Sequence, residues 1–147
     1  NARSSVKYRF AGEQTEVYQP SMSFFGYQYI EITASDDVTF YGLRSRALSS
    51  VSEQTGWIET NNQDVNQLFS NVLYGQLSDY LTTPTDCNQR DERLSWTGDT
   101  QAFAQTAVYN FNSLAFLSEM QDIYDENTLE IGYVPAVADI LKGYFNW

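Results

Sequence analysis

The sequence predicts a mixed fold, in which an antiparallel β unit over residues 1–55 is followed by an α-helical unit over residues 56–147. Three observations support this fold class. Apolar residues alternate with polar ones in the first part and recur every three or four residues in the second, which are the periods of strands and helices. The net charge changes from −1 over residues 1–55 to −10 over residues 56–147. The chain is 42% hydrophobic, enough for a packed core.

The β unit contains three candidate strands. Ser5–Phe10 alternates apolar residues with basic ones, Gly26–Thr33 is rich in tyrosine and isoleucine, and Val38–Leu48 is interrupted by Gly42. Short strands separated by glycine, proline and aspartate are typical of an antiparallel sheet, here the edge of a sandwich. Three strands rarely bury both faces of a sheet, so we expect this unit to be incomplete.

The first helix of the α unit is predicted to begin after Asn61 and Asn62, which can cap a helix amino terminus, and to be stopped by Pro84. Its apolar residues recur along one face for about five turns. They are Val65, Leu68, Phe69, Val72, Leu73, Leu77, Tyr80 and Leu81. We expect this face to pack in the core.

Further helices are predicted after the first. One starts near Asp99, which can cap it, and a third covers about Asn112–Tyr124. Asp125–Gly132 is predicted to be a loop, and Val137–Phe145 begins another helix. The third helix should face inward with Leu114, Leu117 and Met120. Because the chain stops at Trp147 in an apolar stretch, we expect a truncated domain.

Composition excludes several classes of function. The chain has no histidine, which removes histidine-based triads and imidazole metal sites. A net charge of −11 argues against partners such as nucleic acid or an anionic membrane. No apolar run is long enough to predict a membrane span. The one cysteine, Cys87, is expected to be a small buried side chain whose thiol pKa rises beside carboxylates.

The acidic motif, residues 86–99, carries most of the chemical information. It reads DCNQRDERLSWTGD and combines four carboxylates, two arginines and one tryptophan between two predicted helices. Such a mixture is costly to bury in a core and suits a pocket for a polyhydroxylated ligand. The four carboxylates belong to Asp86, Asp91, Glu92 and Asp99.

Glycoside hydrolysis needs a protonated carboxylic acid, a second carboxylate across the sugar ring, and polar and aromatic groups that hold the hydroxyls. The motif can supply the first and the third. Crowded carboxylates raise at least one pKa, whereas Arg90 and Arg93 oppose that rise. Trp96 offers a flat face to a sugar ring. The alternative is a salt-bridged surface in which Asp99 only caps a helix and Trp96 only packs, and composition leaves both open.

The string PTDCNQRDERLSWTGD, residues 84–99, resembles the signature of the bacterial-type α-L-rhamnosidases, PTDCPQRDERLGWTGD. It departs from that signature at Asn88 and Ser95, which replace proline and glycine. Residues 25–32 resemble the family's GFRYVEI strand, with Gln28 in place of arginine. Residues 56–66 resemble the entry to its first barrel helix.

The resemblance implies a fold, an activity and site residues. The family combines β-sandwich domains with an (α/α)6 barrel, so residues 1–55 would end a sandwich and residues 56–147 would begin the barrel. Glu92 matches the general acid of an inverting α-L-rhamnosidase, which needs no cofactor. Its general base, a downstream glutamate, would lie outside this chain, so the chain alone should be inactive. The residues that match the sugar-binding site are Asp86, Arg90, Trp96 and Asp99, and the role of Asp91 stays open.

The expected partners are a rhamnose-containing glycoside or polysaccharide and the remainder of the parent enzyme. No metal site is expected, because the Asp-x-Asp-x-Asp-Gly pattern of a calcium loop is absent. Three alternatives remain: a carbohydrate-binding module, suggested by 11 tyrosines and three tryptophans, another inverting glycosidase on the same barrel, and a structural interaction fragment. In a module, Tyr27 or Tyr29 should bind the sugar instead of Asp86 and Asp99.

Overall fold

The computed structural model describes residues 4–90 and 92–138. Within these ranges the regular elements are three helices, α1 (Gln63–Asp79), α2 (Thr97–Asn110) and α3 (Leu114–Ile131). The three helices that the apolar spacing predicts are therefore present, although their bounds differ from the prediction. None of the helices in the described ranges is both long and apolar enough to cross a bilayer.

The N-terminal part does not show the predicted sheet. Ser5–Phe10, Gly26–Thr33 and Val38–Leu48 form no strand in the described residues. Their apolar side chains are largely exposed, and local contacts hold the segment together, such as the Tyr8 and Tyr18 rings stacked at 4.6 Å. Strands need neighbours for their backbone groups and for one face. Among the described residues these segments have neither, so the structure does not show the expected edge of a sandwich.

Helix α1 begins as predicted, because the Asn62 side chain accepts hydrogen bonds from the amides of Asp64 and Val65. It ends at Asp79, earlier than the proline stop predicted. Tyr80 leaves the helix with φ −90° and ψ 76°, and it pairs with Pro84 in an isolated bridge. Proline therefore shapes the turn after α1 and does not end the helix directly.

The other helix boundaries differ from their predictions. Helix α2 starts at Thr97 after Trp96, so Asp99 lies inside the first turn and is not the cap. Helix α3 continues through most of the predicted loop and ends at Ile131, followed by Gly132, whose φ of 81° suits a residue without a side chain. Of the side chains predicted to face inward on α3, Met120 is 1% exposed, whereas Leu114 is 68% exposed.

The core lies where the three helices meet. Tyr80 stacks on Phe116 with ring centroids 4.5 Å apart and meets Phe103 edge-on at 6.4 Å. Half-buried Leu73, Leu77 and Leu117 pack around it. The other buried members of the cluster are Val51, Ala107 and Phe111. The inward stripe predicted for α1 is thus confined to its second half, since Val65 and Leu68 are exposed.

Two chain segments close the core at its ends. Residues 50–56 are held by two backbone hydrogen bonds. The Ser50 N–H donates to the Tyr80 carbonyl at 2.7 Å, and the Thr55 N–H donates to the Asn110 carbonyl at 2.8 Å. At the other end, Val137 pairs with Trp96. The helix predicted over Val137–Phe145 falls mostly outside the described residues.

Candidate active site

The acid loop, residues 86–94, connects α1 to α2 and forms the first part of the acidic motif. Its base is closed because the Asp86 amide donates to the Leu94 carbonyl at 3.0 Å. Cys87 and Arg93 each have a φ of 53°, a left-handed conformation that costs free energy for residues other than glycine. The chain therefore turns sharply on both sides of Glu92.

Glu92 is held by three donors. Its side chain is 23% exposed, and Oε1 accepts a hydrogen bond from the Trp96 indole N–H at 2.7 Å. Its other oxygen pairs with the Arg90 guanidinium. The Cys87 thiol, then Trp96 and Arg90, hold the pKa of Glu92 below its ordinary value. In this environment the Glu92 carboxyl is ionised at neutral pH.

Asp86 lies beside Glu92 and behaves in the opposite way. Burial raises its pKa, although its Oδ2 accepts a hydrogen bond from the Trp96 amide at 3.4 Å. The negative charges of Asp99 and Glu92 raise the pKa of Asp86 further. The expected crowding of carboxylates is thus present, and it acts on Asp86. Asp99 contributes from the exposed side of the first turn of α2.

The two arginines have different environments. Arg90 faces Glu92 and the Cys87 sulfur, which it reaches at 3.0 Å. The Arg93 guanidinium carbon lies 5.2 Å from the centroid of the Phe24 ring. The expectation that both arginines oppose the rise in carboxyl pKa is therefore corrected, because Arg93 contacts an aromatic ring of the N-terminal part.

Sequence reasoning missed one member of this cluster, Asp79, and predicted another, Cys87, only in part. Burial and the charge of Asp86 raise the pKa of Asp79 to about 6. No motif marks Asp79, because an acid at the end of a helix is usually a surface charge. Cys87 is half-buried and not fully buried as expected, and it contacts Glu92. The predicted rise in the pKa of its thiol is confirmed, and the hydrogen bond to Glu92 is its main cause.

The cluster can bind hydroxyl groups and hold a proton. Carboxylates of Asp86, Glu92 and Asp99 can accept hydrogen bonds from hydroxyls, while Arg90 can donate to them. The Trp96 ring, half-buried at the start of α2, adds an apolar face. Asp91 lies outside the described residues. Within residues 4–90 and 92–138, no group of three or more acidic, cysteine or histidine side chains is arranged to hold a metal ion.

Two family models together cover the chain. The bacterial α-L-rhamnosidase 6 hairpin glycosidase domain matches residues 53–147, and the bacterial α-L-rhamnosidase concanavalin-like domain matches residues 1–52. An α-L-rhamnosidase of Streptomyces avermitilis is 34% identical over the whole of this chain. An α-L-rhamnosidase of Formosa agariphila is 31% identical over 96% of it. The chain spans only 15% and 16% of the lengths of these relatives.

A solved structure has a similar fold. The α-L-rhamnosidase of Streptomyces avermitilis, crystallised with L-rhamnose, superposes on 62% of this chain and 9% of its own, with a TM-score of 0.58 and 38% sequence identity. The matched portion is therefore a small part of a much longer protein.

Proposed function

The chain belongs to the bacterial α-L-rhamnosidase family, and from that membership we propose that it forms one side of the active site of an enzyme that cleaves terminal α-L-rhamnose from glycosides or polysaccharides. The match of the glycosidase-domain model to residues 53–147 is the observation that carries this proposal. The acid cluster between α1 and α2 supports it, because it offers the proton-carrying and hydroxyl-binding groups that sugar hydrolysis needs.

The chain would contribute to two domains of the parent enzyme. Residues 1–55 would form the end of a β-sandwich domain, and residues 56–147 would form the first helices of an (α/α)6 barrel. The two family models meet between residues 52 and 53, close to the change in net charge, which supports this division. The backbone groups of the N-terminal part would find their strand partners in the rest of the sandwich.

Glu92 would be the general acid that protonates the glycosidic oxygen. In the described environment its pKa is lowered, whereas a general acid at neutral pH needs a raised one. We propose that the remaining barrel helices and the bound sugar cover Glu92 and separate it from part of its donors. Desolvation favours the neutral carboxyl, so covering the site would move the pKa in the required direction.

Rhamnose would be held by the groups around Glu92. Asp86 and Asp99 would accept hydrogen bonds from sugar hydroxyls, Arg90 would donate to them, and Trp96 would stack against the ring. The structure of the Streptomyces relative contains L-rhamnose, which supports the same ligand here. The second carboxylate would come from outside the chain. An inverting reaction requires it roughly 6.5–9.5 Å from Glu92, with a water between it and the sugar.

Substrate and stereochemistry test this function together. The full-length enzyme should hydrolyse an aryl α-L-rhamnoside, and NMR at early times should show β-L-rhamnose as the first product. The 147-residue chain alone should release no rhamnose, because it lacks the base. Early α-L-rhamnose would contradict inversion, preference for a D-glucoside or L-fucoside would indicate another glycosidase, and turnover by the chain alone would place the base within it.

A carbohydrate-binding module is the second candidate, favoured by the exposure of Tyr29 and Tyr41, which are 90% and 80% exposed. Titration of the full-length protein with rhamnose separates the two. Loss of binding in Asp86→Ala and Asp99→Ala with intact binding in Tyr27→Ala and Tyr29→Ala supports the enzyme site. The reverse pattern supports the module.

A further inference from the structure

A segment of the N-terminal part, residues 24–26, lies directly against the acid loop. At Gly26 the backbones approach so closely that a Cβ atom would lie 2.8 Å from the Gln89 Cβ and 3.0 Å from its Cα, and would also collide with the Asn88 side chain. Contacts this short require one of the backbones to move. Only glycine therefore fits at this position.

A second contact lies beside the first. The half-buried Phe24 ring faces the Arg93 guanidinium at 5.2 Å, within the range of a cation–π interaction. The Arg93 Nε also donates to the Arg90 carbonyl at 3.3 Å, which ties the side chain back to its own loop. Phe24 thus contacts the residue that follows Glu92, and Gly26 contacts the residues that precede it.

The opposite side of the acid loop is fastened to α1. The Asn88 Nδ2 donates to the Ser78 carbonyl in the last turn of that helix at 2.6 Å. The loop is therefore held between α1 and residues 24–26. Its left-handed residues, Cys87 and Arg93, carry strain that persists only where surrounding contacts determine the conformation.

We propose that Gly26 and Phe24 are positioning residues for the general acid, so that the N-terminal part fixes the conformation of the loop that carries Glu92. The inference rests on the proposed role of Glu92. Neither residue touches the sugar site through the contacts described. Each acts through the loop, Gly26 by permitting close approach and Phe24 by holding Arg93.

The test is Gly26→Ala in the full-length enzyme, assayed on two rhamnosides that differ in leaving group. A misplaced acid slows the substrate that needs protonation and spares the one that does not. We expect kcat to fall about 10- to 100-fold on an alkyl rhamnoside. On a 2,4-dinitrophenyl rhamnoside both kcat and KM should change less than about threefold.

The chain offers matched controls. Gly42→Ala lies in the same part, where an added Cβ meets nothing within 4 Å, and should behave as wild type on both substrates. Phe24→Leu keeps an apolar side chain but removes the aromatic face, and should show the same selective loss as Gly26→Ala. Phe24→Tyr keeps the face and should restore activity. The Phe24 pair keeps the proposal testable if Gly26→Ala does not fold.

Several outcomes would overturn the inference. An equal fall on both substrates in folded Phe24→Leu enzyme would show that this contact does not act through the acid. Wild-type kinetics in Gly26→Ala and Phe24→Leu would show that the contacts do not matter. The proposed function would still stand after either result if the wild-type enzyme cleaves rhamnosides and Glu92→Gln is slowed mainly on the alkyl rhamnoside. In that case only this inference fails. If wild type cleaves no rhamnoside, the proposed function fails, and this inference with it.

Discussion

Single residues of the acid loop show how neighbouring groups move the pKa of each carboxyl in a different direction. Glu92 has three donors and a lowered pKa, whereas Asp86 is raised by burial. The sequence predicted that these acids would be crowded. It could not predict which pKa would be raised, because that depends on how deeply Asp86 is buried and on which donors reach Glu92. The Phe24 ring that takes Arg93 lies far away in the chain and carries no motif.

Asp79 should make stability depend on pH. Its folded pKa of about 6 exceeds its ordinary value of 3.8, so the folded state holds the proton more tightly. The contribution of protonated Asp79 to the free energy of unfolding is fully present below about pH 4 and is lost as the pH rises towards 6. Asp79→Asn should therefore stabilise the chain at pH 7.5, on the order of 1 kcal/mol after screening at a half-exposed site, and should have little effect at pH 3.5.

Urea unfolding of the 147-residue chain at the two pH values checks this. Asp122→Asn, at an exposed position of α3, is the matched control and should leave the free energy of unfolding nearly unchanged at both. If Asp79→Asn and wild type had the same free energy of unfolding at pH 7.5, the charge on Asp79 would not destabilise the folded chain.

At the scale of elements, local sequence signals predict where α1 begins, but they do not predict where α1 and α3 end. Asn62 caps α1 through its own side chain, a signal contained in neighbouring residues. The end of α1 depends on the burial of Tyr80 against Phe116, which is tertiary. Likewise α3 passes through an acidic stretch that resembles a loop and ends only at Ile131, just before Gly132. Composition could not distinguish an exposed helix face from a loop there.

The junction of the helices depends on a buried polar side chain. The Gln76 side chain is 2% exposed and donates hydrogen bonds to the Ala107 carbonyl at 3.1 Å and to the Ser113 hydroxyl at 3.2 Å. Its oxygen accepts a hydrogen bond from the side-chain amide of Asn110 at 3.0 Å. Gln76→Ala removes all three hydrogen bonds between the helices, takes away the acceptor of the buried Asn110 side-chain amide, and leaves a cavity. We expect the free energy of unfolding to fall by about 2–4 kcal/mol.

Gln67→Ala is the matched control on the same helix. Gln67 is exposed and hydrogen-bonds only locally in the described structure, to Asn71 at 2.8 Å, so its loss should cost less than about 0.5 kcal/mol. Urea unfolding compares the two variants. Similar costs for both would mean that the Gln76 cluster does not join the helices.

At the scale of the whole molecule, the exposed apolar surface shows why the sequence predicts the fold class better than it predicts which helix faces are buried. Large apolar side chains stay exposed on the helices, including Leu68 at 63%, Tyr109 at 66% and Leu129 at 86%. Apolar surface of this extent usually marks an interface. The spacing of apolar residues predicts the helices. Spacing alone does not say whether an apolar helix face packs against this chain or against another part of the proposed parent enzyme.

The proposed reaction depends on Glu92 as the proton donor, and a comparison of leaving groups in the full-length enzyme tests this role. Glu92→Gln should lower kcat/KM on an alkyl α-L-rhamnoside by at least about 100-fold and change it much less on a 2,4-dinitrophenyl α-L-rhamnoside. Glu119→Gln, at an exposed position of α3, is the control and should match wild type on both. Near-normal turnover of the alkyl rhamnoside by Glu92→Gln would contradict the assignment.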